Sequence, residues 1–143
     1  MFSLDRMSPV SSDVFFYGLF MDRTLLASKG VIPPEPSFGI VRDWALRIGH
    51  RATLVPQQGS FVHGLVMSFP LPSLDQLYSE PSVAMYRPVA VLVELRDSTI
   101  IPALTYILPE APAPHEANAE YAAKLRSLAD RLGFPAEYVT SIA

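Results

Sequence analysis

The sequence predicts an α+β domain: a strongly curled mixed or antiparallel β-sheet, or a small β-barrel, with short helices between strands and one longer C-terminal helix. Three observations lead there. Apolar residues recur with a period of two through most of the chain up to Pro109, short stretches with spacings of three and four interrupt them, and a sustained helical period occupies His115 to Leu132. Strands followed by a terminal helix, without a regular strand-helix alternation, fit an α+β layout.

The first element is Asp13 to Met21. Val14-Phe15-Phe16-Tyr17 reads as a short buried strand, and Gly18 gives the backbone freedom to leave the sheet sharply. Such a turn aims backbone N–H groups of Leu19 and Phe20 into an adjacent cavity, where they can hold a carboxylate or a developing oxyanion. Residues 1–12 are small and polar and are expected to form a flexible N-terminal tail; 13–143 form one domain. Asp22 caps a helix through Arg23 to Lys29, stopped by Gly30, with Lys29 at its electronegative end. Ile32 to Pro36 cannot be helical and reads as an extended connector.

Phe38 to Gly49 reads as a strand with an irregularity near Arg42-Asp43, where alternation falters. Trp44 is expected at the core or a pocket rim. Leu54 to Ser60 is expected to be a turn, and Phe61 to Phe69 a central strand, apolar on both faces, in which Gly64 allows another backbone to approach closely. A short helix follows from Leu71 to Tyr78, ended by Pro81. Tyr86 to Leu95 and Thr99 to Leu108 make a hairpin around Arg96-Asp97-Ser98. After the proline-rich linker Pro109 to Pro114 comes the helix of Tyr121, Leu125, Leu128 and Leu132, closed by Gly133, and a last helical turn from Ala136 to Val139.

Composition limits the functions available. The chain has 143 residues, 50% apolar and 17% charged, and a net charge of −3. That length buries about two-thirds of the unfolded surface without a staple. With a mean hydropathy of +0.25 and a pI near 5.5, and Lys and Arg scattered, no basic stripe exists for nucleic acid. Absence of cysteine excludes disulfides, thiolate catalysis and sulfur-ligated metal. His50, His63 and His115 lie on separate elements without ligand spacing, so no metal and no cofactor are expected. Apolar runs break well short of a membrane span, and no leader pattern precedes Asp13. A cytoplasmic location is expected, and the apolar excess allows a pocket or a homodimer face.

The order of pieces resembles the gamma-glutamylcyclotransferase-like superfamily, with its AIG2-like members. Its opening Tyr-Gly-Ser/Thr-Leu is represented by Tyr17-Gly18-Leu19-Phe20. An Arg-x-Thr-x-x-Pro and Val-x-Gly segment follows as Arg51-Ala52-Thr53-Leu54-Val55-Pro56 and Val62-His63-Gly64-Leu65. Leu74-Asp75, Tyr86-Arg87, Tyr121 to Leu125 and Gly133-Phe134-Pro135-Ala136-Glu137-Tyr138 complete the series. The resemblance spans 13 to 142 and departs at two positions. Leu19 stands where the family has Ser or Thr, and Tyr78 stands where its enzymes place a glutamate, the nearest carboxylate being Glu80.

The resemblance implies a gamma-glutamyl amine or peptide as substrate, cleaved by intramolecular cyclisation to 5-oxoproline. It implies Glu80 as proton-transferring catalytic residue and Tyr17, Gly18, Leu19, Phe20 and Tyr86 as substrate-binding residues. Two other readings stay open: a non-catalytic small-acid-binding protein, and an interaction module on the same fold. Glu94 is a reserve carboxylate on a strand face, Tyr106 a second pocket-lining tyrosine, and a Ser60 or Ser68 pairing with His63 lacks a third member and a nucleophile elbow.

Overall fold

Alternation along one strand separates two cores. Val14 and Phe16 belong to one buried cluster and Phe15 and Tyr17 to another, because successive side chains of a strand point to opposite faces of its sheet. The computed structural model describes residues 11–143. Five strands close into a barrel in the order β1-β3-β2-β4-β5: β1 (Ser11–Phe16), β2 (Ser37–Ile48), β3 (Ala52–Pro70), β4 (Arg87–Leu95) and β5 (Ile100–Ile107). Phe15, Val41, Leu54, Val62, Val66, Val91 and Val93 fill the cluster on one face. The other face carries Val14, Leu65, Met67 and Phe69 against the helices.

All strand pairs are antiparallel except β1 with β5, which meet in parallel at Val14↔Leu104. Side chains reinforce this seam: Thr105, fully buried, donates from Oγ1 to the Phe15 carbonyl at 2.9 Å, and the Tyr17 hydroxyl donates to the Tyr106 carbonyl at 2.7 Å. β2 and β3 form one long ribbon from Ser37↔Val66 to Ile48↔Ala52, with the expected irregularity between Arg42 and Trp44. Asp43 takes a φ of 66° there, and its Oδ1 accepts the Gly59 N–H at 3.0 Å.

This ribbon corrects the turn expected at Leu54 to Ser60. Leu54, Val55 and Pro56 pair with Leu46, Ala45 and Trp44 inside β3, and only residues 57–60 bulge out opposite Asp43. Pro56 and Gly59 carried the turn signal, but the ladder absorbs Pro56, while Gly59 turns within the bulge at a φ of 85°. Gly64 meets the expected close approach: a Cβ there would run into the Phe16 carbonyl and the Phe15 ring.

The helices are α1 (Arg23–Ser28), α2 (Leu71–Leu77), α3 (Ala119–Arg131) and α4 (Ala136–Ser141). Asp22 Oδ1 caps α1 by accepting from Thr24 N at 2.9 Å, and Gly30 closes it at a φ of 80°. α3 begins four residues later than the His115 boundary suggested, because Asn118 Oδ1 caps it by accepting from Tyr121 N at 3.0 Å. Asn also donates to the His50 carbonyl at 3.1 Å, pinning the helix start to the β2–β3 turn. Of the expected tail, residues 1–10 lie outside the described residues, and Ser11 and Ser12 pair with Pro70 and Phe69 within β1. No described helix is long and apolar enough to cross a membrane.

Candidate functional site

The chain leaves β1 at Tyr17, makes a single 3-10 turn over Leu19–Met21 and enters α1. Gly18 does not take the left-handed conformation a sharp exit would require; its φ and ψ are −117° and −153°. It is needed for space. A Cβ at that position would stand 2.5 Å from the Tyr121 hydroxyl, which reaches in from the first turn of α3 and accepts the Leu19 N–H at 3.2 Å. One backbone donor of the turn is therefore held by a tyrosine from the far end of the chain. That hydroxyl still has its own proton to donate.

Beside the turn lies a cavity of about 460 Å³. Tyr17, Gly18, Leu19, Phe20, Glu80 and Tyr86 all line it, so the structure brings the sequence-predicted site residues together. Lys29, Arg51, Tyr78, Tyr106 and Tyr121 also line it. Lys29 gave no sequence signal beyond a helix end, and Arg51 entered only as the first residue of the Arg-x-Thr-x-x-Pro segment, without a site role. Glu94 lies elsewhere, in an ion pair with Arg42 at 3.0 Å. His63 is also remote, packed against Phe134 and Tyr138 with ring centroids 5.6 and 4.7 Å away, and Ser68 bonds to Asp13. No His, Asp or Glu cluster among the described residues has the arrangement of a metal site.

Glu80 sits just past α2, on the irregular segment before β4, and is locked to Lys29 at the end of α1. Lys29 Nζ is 2.7 Å from Oε1 and donates to Oε2 at 3.1 Å. The ammonium thus bridges both carboxylate oxygens, with the closer contact to Oε1. Each carboxylate oxygen has two acceptor sites, so the ion pair leaves room for a further donor from the cavity.

Tyr78, the C-cap of α2, fills the wall: its ring stacks on Tyr106 with centroids 3.9 Å apart and 10° between planes, and Phe20 meets it edge-on at 5.7 Å. Tyr86 donates to the Ala52 carbonyl at 2.5 Å. Burial pushes the phenols of Tyr17, Tyr78, Tyr86, Tyr106 and Tyr121 above their ordinary range, so each is a protonated hydroxyl at neutral pH. Arg51 Nε donates to the Ser82 carbonyl at 3.0 Å, fastening the Glu80 segment to the β2–β3 turn.

A family model described as gamma-glutamyl cyclotransferase, AIG2-like, matches residues 14–125. The chain belongs to this family. Its fold is that of a solved gamma-glutamyl cyclotransferase, with a TM-score of 0.72 at 21% identity over 94% of this chain and 89% of that one. YkqA from Bacillus subtilis is similar at a TM-score of 0.75 and 22% identity, over 95% of this chain and 53% of that one. A yeast gamma-glutamyl cyclotransferase specific to glutathione gives a TM-score of 0.64 at 15% identity, over 92% and 93%. No curated protein matches the sequence. These likenesses establish a gamma-glutamylcyclotransferase fold, including the curled five-strand sheet and short helices.

Proposed function

We propose that this AIG2-like protein is a cyclotransferase that cleaves a gamma-glutamyl amine or peptide to 5-oxoproline. The observation that carries the reading is the shared cavity: the Glu80 carboxylate and the Tyr17–Phe20 turn line the same space.

In this mechanism the substrate's α-amine attacks its own γ-carbonyl carbon, closing a five-membered lactam as the C–N bond to the leaving amine breaks. An α-amine titrates near 8, so about nine in ten are protonated at neutral pH and cannot attack. Glu80 takes one proton from the α-nitrogen before attack and a second as the lactam forms, passing each to the departing nitrogen, so no water or cofactor is consumed. Lys29 fixes the carboxylate in place, and each oxygen has a second acceptor site for the substrate's ammonium. Negative charge developing on the carbonyl oxygen is met by the turn's backbone and by the Tyr121 hydroxyl, which Leu19 N–H orients. One such preorganised donor is worth about 3 kcal/mol in the barrier. Protonated Tyr86 and Tyr17, their hydrogens committed to carbonyls, act as walls.

The test is release of 5-oxoproline from a panel of gamma-glutamyl amines and peptides by the natural protein and by Glu80→Gln. Loss of a general base lowers the rate by roughly 10²–10⁴-fold. Equal rates for both proteins would remove Glu80 from the mechanism.

A further inference from the structure

The cavity is larger than a glutamyl group needs, so part of its wall must face whatever the glutamyl is joined to. That wall is aromatic. Tyr78 and Tyr106 are stacked, Phe20 closes on Tyr78 edge-first, and Tyr86 stands 6.4 Å from Tyr78. A flat apolar group buried against such rings gains area burial and edge or offset stacking.

Charge narrows the choice further. Among the described residues Glu80 is the one acid lining the cavity, and Lys29 already neutralises it. His50 is turned to Glu116, 3.4 Å from Nδ1 to Oε1. Arg51 is left, its Nε on a carbonyl and its terminal nitrogens without a carboxylate among the described residues. One spare cation suits one carboxylate, and every gamma-glutamyl compound brings one on its α-carbon. A second carboxylate on the leaving group has no partner. A second ammonium has no acid, and cation attraction to the ring faces is opposed by Lys29 and Arg51 in the same cavity and by Tyr106 covering a face of Tyr78.

We infer that the amine portion of the ligand is neutral and apolar, an aromatic or arylalkyl amine joined to the gamma-glutamyl group, with Arg51 taking the glutamyl carboxylate and Phe20 and Tyr78 selecting the ring. This rests on the cyclotransferase reading for the glutamyl half of the ligand, and its test is therefore made independent of turnover.

Glutaric acid monoamides lack the α-amine, cannot cyclise, and keep the carboxylate and the amide. Calorimetric titration of the natural protein with the benzylamide, the 4-ammoniobutylamide and the carboxymethylamide compares neutral, cationic and anionic leaving groups. The benzylamide is expected to bind about tenfold or more tightly than either charged probe. Phe20→Leu and Tyr78→Ala should each shrink that preference, Phe20→Leu serving where Tyr78→Ala fails to fold. Arg51→Gln should weaken all three probes by a similar factor. Equal or tighter binding of a charged probe overturns the inference, as does no binding of any probe at millimolar concentration. Benzylamide preference without 5-oxoproline release from gamma-glutamyl-benzylamide upholds the inference and refutes the cyclisation, leaving a protein that binds small acids.

Discussion

Replacing Gly64 by alanine tests how the barrel is closed around its tightest point. A Cβ at that position would lie 2.5 and 2.7 Å from two Phe15 ring carbons and closer still to the Phe16 carbonyl oxygen. The ring could swing aside only into a packed interior, since Phe15 is 1% exposed. The carbonyl cannot rotate away, because β1 is held in register by Phe15↔Val66 and Phe16↔Leu65, and Gly64 itself pairs with Gly39 on the other side. Overpacking of this kind costs about 1–3 kcal/mol, and a backbone obstacle puts it at the upper end. For a domain of this size, about 3 kcal/mol lowers the melting temperature by about 10 °C. Urea unfolding should show the loss as a lower midpoint at unchanged slope. Gly59→Ala separates space from torsion: nothing lies within 4 Å of its added Cβ, but its φ is 85°, a conformation costing roughly 1–2 kcal/mol for an alanine. A Gly64→Ala loss below about 0.5 kcal/mol would refute the packing argument.

The remaining predictions concern the tyrosines. Burial raises the folded-state titration of Tyr17 and Tyr78 well above that of an unfolded tyrosine, which ionises near 10. Stability from this source is fully present below about pH 10 and is lost as pH rises beyond it, because only the unfolded chain releases those protons. Denaturant midpoints should fall as pH rises above about 10, less steeply in Tyr78→Phe, and a flat profile would count against a buried phenol cluster. Tyr121→Phe removes the acceptor of the Leu19 N–H; it should lose about 1 kcal/mol of stability and, if its proton serves the oxyanion, about a hundredfold in 5-oxoproline release. Unchanged turnover would leave Tyr121 a structural prop.

Local chemistry was legible wherever one residue decides a conformation. Asp22 and Gly133 mark helix ends, Arg96-Asp97-Ser98 turns a hairpin with Ser98 at a φ of 71°, and Gly64 admits a neighbouring backbone. The Tyr17–Phe20 turn and Glu80 could be placed in one site only through the resemblance. Their partners were hidden because they come from far along the chain: Lys29 and Glu80 are separated by 51 positions, and Leu19 and Tyr121 by 102. Gly18 was legible as important for the wrong reason, since clearance for a distant hydroxyl leaves no mark in a local window. The turn expected at Leu54 to Ser60 failed over Leu54 to Pro56, because Pro56 is a turn residue by propensity and a ladder residue by context, whereas Gly59 does turn the chain within the bulge at a φ of 85°.

The parallel seam also sets how this chain must reach its native state. β1 lies between β3 and β5, so the first described strand waits for partners near residues 65 to 70 and then for Leu104. Hairpins such as β4–β5 can zip locally, but the ring is complete only after that long loop closes, a cost in chain entropy that local contacts cannot repay early. Until then Phe15 and Phe16 have an open edge beside them. The wall of the cavity, which borrows Tyr106 and Tyr121 from beyond that closure, is therefore among the last surfaces to take shape.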